Sequence, residues 1–139
     1  MRGTAVMGDE ERLLFANEAF YVAFASADAD AMRDLWSTER PVSIIHPGAD
    51  IVFGLEDVLQ SWSQILDAPA SFDIEMRRPT ARLYGDTGIV ACYEKVGAHS
   101  LIATNVFVRT GDAWLLVHHQ SGPSPVLPQR DEGETRPVH

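Results

Sequence analysis

At 139 residues, with 45% hydrophobic and 22% charged residues, the chain has the size and composition of one folded domain with a core of its own. Its 11 Lys and Arg against 20 Asp and Glu leave a net charge of -9, which excludes a broad electrostatic grip on nucleic acid or on an anionic membrane. One cysteine, Cys92, excludes an intrachain disulfide, and no run approaches the roughly 18 apolar residues of a membrane span or the core of a signal peptide, so the expectation is a cytoplasmic protein.

Residues 1–8 read as a flexible lead-in. Over 9–27, Leu13, Ala16, Phe20, Phe24 and Ala27 recur at helical spacing, with Asp9 as N-cap and Glu10 and Glu11 suited to the positive end of the dipole. A second short helix is expected over 28–36, burying Met32, Leu35 and Trp36. Pro41 introduces a short strand, Val42-Ser43-Ile44-Ile45-His46, closed by Pro47-Gly48. The third helix carries the clearest apolar stripe: Leu55, Val58, Leu59, Trp62, Ile65 and Leu66, with Pro69 as its stop.

From Ser71 onward the period changes from helix to strand. Strands are expected over 72–84, 87–96, 100–110 and 113–121, separated by Gly85-Asp86, Gly97-Ala98 and Gly111-Asp112. Connections this short join antiparallel neighbours, and Pro79 within the first strand requires a bulge or bend. The Pro-rich, charged residues 123–139 read as a tail without core content. The expected fold class is α+β: three helices on one face of a strongly curved antiparallel sheet, enclosing a conical cavity within a domain spanning 9–122.

This order resembles the NTF2-like superfamily, and within it the small SnoaL-like proteins. The likeness rests on Ala16-Asn17-Glu18-Ala19-Phe20, the His46-Pro47-Gly48 corner, Gly54 ahead of the Val58–Trp62 helix, Leu101–Phe107, and Gly111-Asp112-Ala113-Trp114 leading into His118-His119-Gln120. The resemblance implies a cone cavity for a small, largely apolar ligand and a homodimer formed through the outer sheet face. The superfamily holds isomerases, cyclases, dehydratases, epoxide hydrolases and non-catalytic modules, so it does not choose a reaction. The Tyr-and-acid oxyanion arrangement of ketosteroid isomerases finds no evident partner for Tyr21 or Tyr84. The Asp-Arg-Asp set of epoxide hydrolases finds none at inward positions beside Arg82 or Arg109.

Strand alternation sorts the residues able to share a pocket. On the last strand Trp114, Leu116, His118 and Gln120 share one face, so His118 and Gln120 are expected inward and His119 outward, toward a dimer partner; one bulge would exchange the two histidines. Glu94 shares a face with Val90 and Cys92, and Asn105 with Ala103 and Phe107. If these faces line the cone, Glu94, Asn105 and His118 meet His46. His118 and Glu94 are then the candidate catalytic acid–base pair. His46, Asn105, Gln120, Trp62, Trp36, Phe20 and Phe24 would contact substrate, Asn105 orienting a carbonyl. The reaction would be a cofactor-free isomerisation, cyclisation or dehydration of an apolar carbonyl compound; the alternative is a non-catalytic ligand-binding or dimerisation module. His46, His118 and Glu94 could also hold a metal, but no metal motif spaces them, and no metal is assigned. Cys92 and the aromatic residues have an equally plain reading as core, and a buried His118–Glu94 pair as mutual satisfaction of polar groups.

Overall fold

The computed structural model describes residues 7–68 and 73–130. Helices α1 (Asp9–Ala25), α2 (Ala29–Asp34) and α3 (Leu55–Leu66) pack with strands β1 (Ser43–Ile45), β2 (Val52–Phe53), β3 (Ile74–Tyr84), β4 (Thr87–Val96), β5 (His99–Thr110) and β6 (Ala113–Pro123). The six strands form one open sheet in the order β2-β1-β6-β5-β4-β3, an α+β architecture. The expected stop at Pro69 and the first residue of the strand expected from 72 lie outside the described residues, as do residues 131–139 of the tail.

The turns written as Gly-Asp in the sequence join β3 to β4 and β5 to β6, with Gly85 and Gly111 both at positive φ. β1 departs from the antiparallel expectation: it lies parallel to β6, Ser43 opposite His118 and Ile45 opposite Gln120, while β2, too short to show a period, pairs with it on the other side. Helix α1 starts one residue earlier than its acidic run suggested. Gly8 is the N-cap, its N–H donating to Glu11 Oε1 at 3.0 Å, and Asp9 is the first helical residue. α1 presses closely on the sheet: a Cβ at Gly88 in β4 would lie 2.6 Å from Leu13 Cδ2, so any larger residue there makes the Leu13 side chain shift.

Two register shifts bend the sheet. One lies between Arg77 and Thr80 around Pro79, where Arg78 takes a positive φ of 59°. The other falls on β6: Val106 of β5 faces His118 while Phe107 faces Leu116, leaving Val117 as the extra residue of a β-bulge. Beyond β6, residues 124–130 stay against the sheet. Ser124 N–H donates to Ser100 O, Arg77 Nη1 to Pro128 O at 3.1 Å and Arg78 Nε to Gln129 O, and Arg130 pairs with Glu75. Glu75 and Arg77 lie opposite Lys95 and Tyr93, so this segment anchors on the sheet face turned away from Glu94.

Candidate functional site

The bulge at Val117 decides which histidine enters the core. Before it Trp114 and Leu116 are buried; after it the buried residues are His119 and Ser121, while Gln120 is exposed. His118 faces outward, its Nδ1 2.7 Å from Ser43 Oγ on the neighbouring strand. The inward placement of His118 and Gln120 is therefore corrected to His119 and Ser121. An extra residue on one strand reverses the alternation beyond it.

His119, Glu94 and Ser121 reach a pocket of about 500 Å³ whose walls include Phe24, His46, Trp62, Ile65 and Leu101. Trp62 is its central aromatic, with His46 meeting it edge-on at 5.0 Å between centroids and His119 tilted against it at 5.8 Å. Phe20 stands behind both, 5.5 Å from Trp62 and 5.0 Å from His119. Trp36 does not join this wall. It is buried beside Leu116, whose N–H and C=O bond the backbone of Leu35 and Ser37.

Behind the pocket runs a continuous polar network. Ser121 Oγ donates to Glu94 Oε1 at 2.7 Å, and Tyr21 O–H donates to Glu94 Oε2 at 2.6 Å. Tyr21 oxygen accepts from Cys92 Sγ at 3.3 Å and from Asn105 Nδ2 at 3.2 Å. Asn105 Nδ2 also donates to Asn17 Oδ1 at 2.8 Å, and Asn105 Oδ1 lies 2.5 Å from His119 Nδ1. With both amide protons engaged, Asn105 meets His119 only as an acceptor, so His119 Nδ1 carries the proton. Asn105 is fully buried and holds the imidazole instead of facing a substrate carbonyl. Sequence reasoning also left Tyr21 without an acidic partner; here that partner is Glu94. Asn17 and Tyr21 were recoverable from helical spacing, because 13, 17, 20, 21 and 24 form the buried stripe of α1 once polar residues are counted in it.

Burial sets the ionisation. It pushes Glu94 above the usual carboxylate range, opposed by the hydrogen bonds from Tyr21 and Ser121. It lowers His119 to about 3, with repulsion from His46 and His118 adding to the effect, and it lowers His46 as well. The Tyr21 phenol rises well above its ordinary value, and the Cys92 thiol rises to about 12, which leaves it inert. At neutral pH the pocket therefore faces two uncharged histidines and one carboxyl of raised pKa. Among the described residues no three His, Cys, Asp or Glu side chains group as metal ligands. Among the described residues no helix is long and apolar enough to cross a membrane.

Residues 14–126 match the model of the SnoaL-like domain, and the chain belongs to that family, within the NTF2-like superfamily. It is similar to a Streptomyces avermitilis protein described as a dehydratase of the NTF2-like family, with 29% identity, 85% of this chain and 97% of that chain covered, and a TM-score of 0.78. A Thiobacillus denitrificans protein assigned as a calcium/calmodulin-dependent protein kinase type II association domain is also 29% identical, over 78% of this chain and 92% of that chain, with a TM-score of 0.67. F-box protein SKIP8 of Arabidopsis thaliana is 27% identical over 111 residues, 78% of this chain and 48% of that protein; the chain thus spans about half the length of this curated relative.

Proposed function

We propose that the protein binds a small, uncharged, largely apolar molecule in the Trp62 pocket and moves a proton on it at Glu94. The carrying observation is a carboxyl kept on the pocket wall between two donors, Tyr21 and Ser121, with its pKa raised by burial. Such a group can take a proton from carbon beside a carbonyl and return it elsewhere, which serves isomerisation, cyclisation and dehydration without a cofactor. His119 replaces His118 as its neighbour in the site. An imidazole with a pKa near 3 is a poor base at neutral pH, so His119 positions the molecule through hydrogen bonding and Glu94 carries the proton. The dehydratase assignment of the similar Streptomyces avermitilis protein agrees with this chemistry.

The experiment is proton exchange. A panel of small uncharged cyclic ketones and hydroxyketones, incubated with the protein in D2O, is followed by 1H NMR for loss of α-protons. The wild type should exchange at least one of them, and Glu94→Gln should slow that exchange by about 100-fold with binding retained. Binding without exchange in the wild type would remove the catalytic reading. It would leave a non-catalytic ligand-binding or assembly module, which the 29% identity to a kinase association domain favours as the second reading. Self-association through the outer sheet face, where Phe53 and Ile102 are exposed, belongs to both readings and is measured by light scattering on the purified chain.

A further inference from the structure

We infer that the pocket selects molecules that bring hydrogen-bond donors, hydroxyl or N–H groups, and rejects anions. This rests on the pocket reading above and follows from an inventory of the protons on its wall. His119 donates through Nδ1 to Asn105, so the opposite ring nitrogen, Nε2, keeps its lone pair, and none of the described residues donates to it. Ser61 O–H donates to Val58 O at 2.6 Å, so it meets His46 Nε2, 3.0 Å away, as an acceptor. The neutral His46 is left with a lone pair at Nδ1. Ser121 and Tyr21 both direct their hydroxyl protons onto Glu94, so Ser121 offers only lone pairs. Four polar groups of the wall, His46, His119, Ser121 and Glu94, are thus acceptors.

Burial of both histidines holds them neutral and keeps the remaining ring nitrogen of each from gaining a proton and turning donor near pH 7. Among the described residues the side-chain donors left on the wall are the Gln64 amide and the fully enclosed indole N–H of Trp62, and no Lys or Arg lines the pocket. A carbonyl alone therefore finds a wall of lone pairs, whereas a hydroxyl finds acceptors 2.6–3.0 Å bonds have already oriented. A carboxylate or phosphate meets Glu94 with no cation to balance it. Asn105 is the positioning residue that fixes this polarity, because its oxygen chooses the tautomer of His119.

The test has two arms on the full chain. Nitrogen-15 NMR of the imidazoles should show His119 protonated at Nδ1 and His46 at Nε2; His119 protonated at Nε2 would overturn the inference whatever binds. Titration at pH 7 with 2-naphthol, 2-methoxynaphthalene and 2-naphthoate, read by tryptophan fluorescence, should give the naphthol about 10-fold tighter than its methyl ether, and no measurable naphthoate binding. Equal affinity of naphthol and ether, or tight naphthoate binding, would sink donor selection while leaving the pocket standing. Failure of all three to bind would sink the pocket reading with it. Asn105→Ala should move the His119 proton to Nε2 and erase the preference for naphthol. Should that variant fail to fold, the wild-type tautomer and titration still decide.

Discussion

The inner face of the sheet has two halves, and the bulge at Val117 divides them. On one side Phe107, Leu116 and Trp114, with Leu13 of α1 seated over Gly88 of β4, belong to the apolar core. On the other, the same three strands contribute Glu94, Asn105, His119 and Ser121, all buried and all hydrogen-bonded. Burial is equal in the two halves, but what burial does is not. In the apolar half it stabilises by removing surface from water. In the polar half it opposes charge, depressing His119 and raising Glu94, and the network offsets the loss of water with directed bonds. A sheet can hold a site beside its core because one extra residue changes which side chains turn inward.

The largest effect belongs to the apolar half. Phe107→Ala removes a fully buried ring and should lower stability to urea by about 3–5 kcal/mol, a large share of the stability of a domain. Asn105→Ala, one turn of the pleat away, should lose about 1–3 kcal/mol for each buried group it orphans. A loss equal to that of Phe107→Ala with no change in the His119 proton position would show that the network is only packing.

Acid separates the halves without a mutation in the core. His119 has a folded pKa near 3 against an ordinary value of 6.5, so its contribution is fully present above 6.5 and is lost as pH falls toward 3. The slope approaches about 1.4 kcal/mol per pH unit in that window, with His46 acting in the same direction. Glu94 has the opposite sign: its pKa is raised, so its contribution is present below its ordinary value of 4.5 and is lost as pH rises through the folded value. Urea midpoints against pH should therefore show a shallower acid slope in His119→Phe, the remainder belonging to His46 and Glu75, and a weaker higher-pH decline in Glu94→Gln, whatever the offset of each variant. Unchanged slopes in both would place water in contact with these groups.

Deleting Val117 is a gentler probe. The ladder of β5 and β6 would become regular, yet Leu116, His119 and Ser121 would keep the same face, since the deleted residue is the unpaired one. The variant should fold, retain the His119 proton on Nδ1 and lose less stability than Asn105→Ala, through a flatter sheet and the missing Val117 contacts. Loss of that proton signature would locate the irregularity elsewhere on the strand.

The same bulge explains what the sequence discloses. The long strands are legible because Gly85-Asp86 and Gly111-Asp112 mark turns, and the third helix because its stripe is apolar without interruption. Glu94, Asn105 and His46 follow from alternation and from a strand ending. His119 does not, because a bulge has no residue signature at Val117 and a two-residue period carries the error to every position beyond it. Tyr21 and Asn17 escape for another reason: a search for apolar spacing discards polar residues that sit on the buried stripe. The parallel seat of β1 against β6 is a long-range pairing, with no local turn chemistry to announce it.

The smallest effect should come from the most charged cluster. Arg109 lies between Asp9 at 2.8 Å and Asp86 at 2.9 Å, its guanidinium 5.6 Å from the centroid of Trp114. In residue types it is the Asp-Arg-Asp set sought in the sequence, yet it stands on the surface at the turn end of the sheet and not on the pocket wall. Water and salt screen each of these bonds, and the side chains lose freedom in making them. Arg109→Ala should leave the urea midpoint within error of wild type at both low and high salt, and α-proton exchange on the ketone panel unaltered. A midpoint shift comparable to that of Asn105→Ala would mean that the surface triad is shielded as the inner network is, and the contrast between buried and exposed polar groups would fail at the charges where it is easiest to measure.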